Sequence, residues 1–96
     1  MTVGIIATLK VQDGKSAEFE TVLGGLSAAV RANEPGNKLY SVFKSRADAN
    51  TYVVMEIYDS EDALNAHRAT EHFRAGGPKL GPLLAGKPDV QYFDPI

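Results

Sequence analysis

Residues 51–73 read TYVVMEIYDSEDALNAHRATEHF, and within them the chain changes from the period of a strand to that of a helix. From Tyr52 to Tyr58 the residues alternate. Val53, Met55 and Ile57 form an apolar side, whereas Tyr52, Val54, Glu56 and Tyr58 put a carboxylate and two phenols on the other. Asp59 and Ser60 follow as N-caps, and Glu61 and Asp62 suit the positive end of a helix that carries Ala63, Leu64 and His67. Thr70 is a second N-cap candidate, ahead of Glu71, His72 and Phe73. Both histidines of the protein therefore lie just beyond a strand that offers Glu56.

At the N-terminal side, Val3, Ile5, Ala7, Leu9 and Val11 alternate with Gly4, Ile6, Thr8, Lys10 and Gln12 as a first strand. After a turn at Asp13-Gly14, Phe19, Val22, Leu23, Leu26 and Val30 recur at intervals of three and four along one helical stripe. Gly24 and Gly25 within that helix suggest close approach of another backbone. Pro35 disfavours helical geometry at Glu34, so the helix ends there and Gly36 makes the turn. Leu39–Lys44 reads as a second strand, paired as a hairpin with the third through the polar run 45–50. Past Phe73, RAGGPKLGPLLAGKP reads as two short helical pieces with Pro78 starting the second, and Val90–Asp94 as a last strand.

The resulting order is strand, helix, strand, strand, helix, strand. It predicts an α+β fold over residues 1–96, a ferredoxin-like split βαβ domain whose four-stranded antiparallel sheet carries its helices on one face. The bare face, with side chains such as Val53, Met55 and Ile57, calls for a second copy, so a homodimer is expected. A chain of 96 residues is near the small end for a self-sufficient core, which supports the same expectation. Charge is balanced, with a formal net of -2 and no Lys/Arg cluster, which argues against nucleic acid and anionic membranes as partners. The chain has no cysteine and hence no disulfide or thiolate chemistry, and no apolar run long enough to span a bilayer; a cytoplasmic location is the expectation.

Several of these residues occur in a familiar order. Glu34-Pro35-Gly36 followed by Tyr40, then Tyr52, Glu56, Tyr58, Ala63, His67 and the His72-Phe73 pair resemble the antibiotic-biosynthesis monooxygenase domain family. That resemblance covers almost the whole chain and implies a dimeric α+β barrel. The family spans cofactor-independent oxygenases of aromatic polyketides and quinols, haem-degrading proteins and processors of a phosphorylated sugar. The first strand lacks the Asn, and the chain the Trp, on which the haem-degrading branch relies. Polyketide oxygenases commonly carry a Trp on the third strand where Tyr52 stands here.

Oxygenation without a cofactor requires a substrate anion, donors that hold it, and an apolar pocket favouring electron transfer to dioxygen. His72 or His67 is the candidate base, with Glu56 orienting a histidine. Tyr40, Tyr52 and Tyr58 are candidate donors, and Phe43, Phe73 and Leu80 candidate walls. The expected partners are a small aromatic substrate and O2, with no flavin, metal or haem. A metal is disfavoured because residues five apart stand about 140° apart around a continuous helix, so His67 and His72 would not share a face. The structural alternative is a His67 packed under its helix and satisfied by Glu56. Two other functions fit the same residues: an isomerase or lyase enolising a small polar metabolite, phosphorylated or not, and a non-catalytic dimeric binding module.

Overall fold

A computed structural model describes all residues, 1–96. The elements are β1 (Val3–Lys10), α1 (Ser16–Asn33), β2 (Asn37–Lys44), β3 (Thr51–Tyr58), α2 (Glu61–Arg68), α3 (Glu71–Leu80), a 3-10 turn at Gly81–Leu83, and β4 (Asp89–Phe93). The strands form one antiparallel sheet in the order β2-β3-β1-β4. This is the α+β split βαβ arrangement read from the sequence.

Alternation decides which side chains meet the helices. Ala7 and Leu9 of β1, Tyr52 and Val54 of β3 and Tyr40 of β2 are buried under Phe19, Leu23 and Val30 of α1, while Val3 and Ile5 of β1 and Tyr58 of β3 form a second cluster with Leu64. Tyr58, Phe19 and Val30 are fully buried. The opposite face carries Ile6, Leu39, Phe43, Met55 and Phe93, all exposed, so the apolar side of the bare sheet is that of Met55. No helix is long and apolar enough to cross a membrane.

Two local expectations are corrected. Gly24 and Gly25 have no neighbouring atom within 4 Å of where a Cβ would stand, so no backbone approaches them. The close approach is at Gly36 instead, where a Cβ would lie 2.6 Å from Ala63 Cβ. Residues 71–80 form a single helix that runs through Pro78, because packing of α3 on α1 outweighs the one backbone hydrogen bond that proline removes. Only the 3-10 turn remains as a separate piece.

Candidate active site

The junction between α2 and α3 builds the site. Ser60 caps α2 by accepting from Ala63 N at 3.1 Å, and Thr70 caps α3 by accepting from Phe73 N while its hydroxyl donates to His67 O at 2.7 Å. The helix thus breaks at Ala69-Thr70. The 140° separation between His67 and His72 applied to a continuous helix; across this break both imidazoles turn to one carboxylate, that of Glu34.

His67 Nδ1 donates to Glu34 Oε1 at 2.9 Å and Oε2 at 3.0 Å, and His72 Nε2 donates to Glu34 Oε2. On its other side, His67 Nε2 lies 3.9 Å from Glu56 Oε1, which accepts from the Tyr58 hydroxyl at 2.7 Å. The side chains of Glu34 and His67 are 8% and 6% exposed, against 19% for His72, so His72 is the member that solvent reaches. The expected Glu56–His67 approach is present, but Glu34 is the nearer partner. Glu34 was legible only as the residue ending a helix before proline. Its position in Glu-Pro-Gly was the available signal, since Gly36 lets α2 sit close enough for His67 to reach it.

Aromatic rings close around this group. His67 is 5.1 Å from the Tyr58 ring, 4.9 Å from Phe73 and 6.2 Å from Tyr40, centroid to centroid. Burial pushes the Glu56 carboxyl above its ordinary range, with the Glu34 charge adding to the effect and Tyr58 and His67 opposing it. Burial raises the phenols of Tyr58 and Tyr40 as well, helped by the Glu56 and Glu34 carboxylates, so both remain hydrogen-bond donors at neutral pH.

The remaining predicted residues divide among different surfaces. Phe73 and Leu80 line an apolar cavity of about 480 Å³ with Leu9, Leu26 and Leu84. His72 borders a groove of about 410 Å³ between α1 and α3, and Leu26 and Gly76 form a wall common to both spaces. Tyr52 does not join the histidines. It is six residues along β3 from Tyr58, about 20 Å at the usual rise, and its hydroxyl donates to Glu20 while Lys44 lies 5.6 Å over its ring. Together with Tyr40, Tyr52 borders an open cleft of about 630 Å³ that also holds Arg31, Lys44 and Glu20. Phe43 reaches only the rim of that cleft, because its place in β2 puts it on the bare sheet face opposite the histidines.

Sequence and structure comparisons converge on one family. The profile of the antibiotic biosynthesis monooxygenase family matches residues 2–78. The chain belongs to that family. Among its relatives is the Bacillus subtilis protein YcnE, a monooxygenase by name, 34% identical over 84 residues that make up 88% of this chain and 87% of YcnE. A Caulobacter crescentus structure named for antibiotic biosynthesis monooxygenases is 45% identical, with a TM-score of 0.96 over 99% of this chain and 90% of its own. A protein from Nitrosomonas europaea shares the fold at 19% identity, with a TM-score of 0.94 over 99% and 90% of the two chains. In this member of the family the histidine cluster is the one place where buried carboxylates, imidazoles and a phenol converge beside an apolar cavity.

Proposed function

We propose that this protein is a monooxygenase that oxidises a phenolic, hydroquinone or polycyclic aromatic substrate with O2 and needs no flavin, metal or haem for that step. The observation that carries the reading is the placement of His72, held by Glu34, across the Leu26–Gly76 wall from the apolar cavity of Phe73 and Leu80. An aromatic substrate seated against Leu26 and Gly76, the residues common to the two spaces, presents a hydroxyl or acidic C–H toward the imidazole. Imidazoles titrate near neutrality, which matches a base for a phenol or anthrone whose anion forms transiently.

For an anthrone the step balances without another reductant. His72 takes one ring-methylene proton, the resulting anion passes an electron to O2, and a carbon–oxygen bond forms. Loss of water then leaves a carbonyl, so one oxygen atom enters the product and the other departs with the two methylene hydrogens. Glu34 holds the protonated imidazole by opposite charge. Two copies pair through the bare sheet face of Ile6, Leu39, Met55 and Phe93, which excludes water from an apolar patch that a monomer would leave exposed.

The test is oxygen consumption by purified, chelator-treated protein with a panel of hydroquinones and anthrones. Uptake with stoichiometric product supports the reading, and none across the panel rejects it. Sedimentation showing a folded monomer at micromolar concentration would reject the pairing.

A second reading follows from the open cleft bordered by Tyr40 and Tyr52, whose lining includes Arg31 and Lys44. Those cations suit a small anionic metabolite and an enolising isomerase. Turnover of phosphorylated ketoses, lost in Arg31→Ala and retained in His72→Ala, would favour it.

A further inference from the structure

We propose that Glu34, His67 and His72 form a binding site for a first-row divalent transition cation of the zinc class, with one coordination position left open toward the groove between α1 and α3. Three observations point there. The first is convergence: one potential ligand atom each from Glu34, His67 and His72 lies within 4.8 Å of the other two, with His67 Nδ1 and His72 Nε2 both on the Glu34 carboxylate. Ligands of a tetrahedral ion at 2.0–2.1 Å stand about 3.3 Å apart. His67 Nδ1 stands 2.9 Å from Glu34 Oε1 and His72 Nε2 also hydrogen-bonds that carboxylate, so side-chain rotations that spread the three groups admit an ion.

The second observation lies behind the triad. A histidine that binds metal through one ring nitrogen ordinarily presents the other to a carboxylate, which fixes the tautomer and the ring. With Nδ1 given to the ion, the ring proton of His67 sits on Nε2, which faces Glu56 Oε1 at 3.9 Å; Glu56 is in turn held by Tyr58. The chain therefore carries both the ligands and the support that a ligating histidine requires.

The third observation is access. Glu34 and His67 are enclosed, but His72 borders the groove lined by Thr21, Val22, Gly25, Leu26 and Gly76, which supplies an entry path and room for a water or substrate oxygen as fourth ligand. Two imidazoles and one carboxylate select zinc, cobalt, nickel or iron over magnesium and calcium, which take oxygen ligands. Three protein ligands with one open position is the pattern of reactive rather than purely structural zinc sites.

Occupancy has a consequence for the proposed oxygenase. The ion occupies His72 together with the Glu34 carboxylate that holds its imidazole, so zinc inhibits the metal-free reaction. Binding itself does not rest on that reading and is measured apart from activity. Chelator-treated protein is titrated with Co²⁺ and followed by its visible ligand-field bands, with Zn²⁺ calorimetry alongside. The expected result is one ion per chain, tetrahedral bands, and no heat with Mg²⁺. His72→Ala and Glu34→Gln should each weaken binding by 100-fold or more, and Glu56→Gln by about 10-fold to 100-fold through loss of support. Circular dichroism of each variant establishes that it is folded, and His72→Gln serves if the alanine is not. Absence of stoichiometric binding by the wild type overturns the site, as does binding that His72→Ala and Glu34→Gln leave intact. Failure of the oxygen-uptake assay alone leaves these bands unchanged and counts only against the oxygenase.

Discussion

Two ends of β3 pair a tyrosine with a glutamate and treat the carboxylate in opposite ways. At one end the Tyr52 hydroxyl donates to Glu20, which lies on exposed α1 with Lys44 at 3.2 Å, and these partners hold the Glu20 carboxyl below its ordinary range. At the other end the Tyr58 hydroxyl donates to Glu56, yet burial beside Glu34 pushes that carboxyl up. The same hydrogen bond, from the same residue type on the same strand face, is outweighed at one end only. The cost of taking a charge out of water exceeds what one phenol returns, and the second carboxylate adds to it. Charges couple most strongly where solvent does not screen them.

The largest expected effect separates the two ends by activity. His72→Ala should lower kcat for oxygen uptake by roughly 10²-fold to 10⁴-fold with modest change in KM, as expected for loss of a general base. Glu20→Gln should leave kcat within about twofold. Equal losses in the two variants would dissolve the distinction.

Stability comes next. Glu34→Ala strands the donor of the enclosed His67 imidazole and removes the partner of His72, and should cost about 3 kcal/mol in denaturant unfolding, well over 10 °C in Tm for a domain of this size. Glu20→Ala should leave the midpoint unchanged, because its salt bridge to Lys44 is exposed.

Glycine substitutions sharpen the contrast through packing. Gly36→Ala places a methyl group against Ala63 and should cost about 1–3 kcal/mol, weakening the hold of Glu34 on His67. Gly25→Ala meets open space inside α1 and should instead stabilise by about 0.5–1 kcal/mol. Thermal melts of both variants check the two signs.

The smallest expected effect is in pH dependence. The folded Glu56 value is raised above its ordinary 4.5, so its contribution is fully present below that value and is lost as pH rises through the raised one. Relative to wild type, Glu56→Gln should therefore gain stability as pH rises through that window, by about 1.4 kcal/mol for each unit of displacement. Glu20 is lowered but fully exposed, where solvent screens its partners, so Glu20→Gln should show no measurable slope. Urea melts of chelator-treated protein at a series of pH values check both.

Much of this molecule was legible in one dimension because periodicity and capping are local. The strand faces of β1 and β3, the apolar stripe of α1, the Ser60 and Thr70 caps and the end of α1 at Glu34 follow from residue spacing, and with them the split βαβ order. The course of α3 through Pro78 did not, since a proline's local penalty says nothing of the contacts that repay it. The order and identity of Glu-Pro-Gly, Glu56, Tyr58, His67 and His72-Phe73 were also sufficient to point to the family.

What the sequence could not decide is which of those groups meet. Tyr52 and Tyr58 share a strand face and look equivalent by period, but they stand at opposite ends of the sheet, one against Glu20 and the other beside His67. Glu34 lies 33 residues from His67 and 38 from His72, a separation on which no local pattern bears. A two-residue break between α2 and α3, together with the Gly36–Ala63 contact, turned two histidines that a continuous helix would have separated onto that carboxylate. Local structure follows from short-range sterics and hydrogen bonding, whereas the meeting of distant side chains, and with it the burial that raises Glu56, Tyr40 and Tyr58, is set only when the helices pack on the sheet.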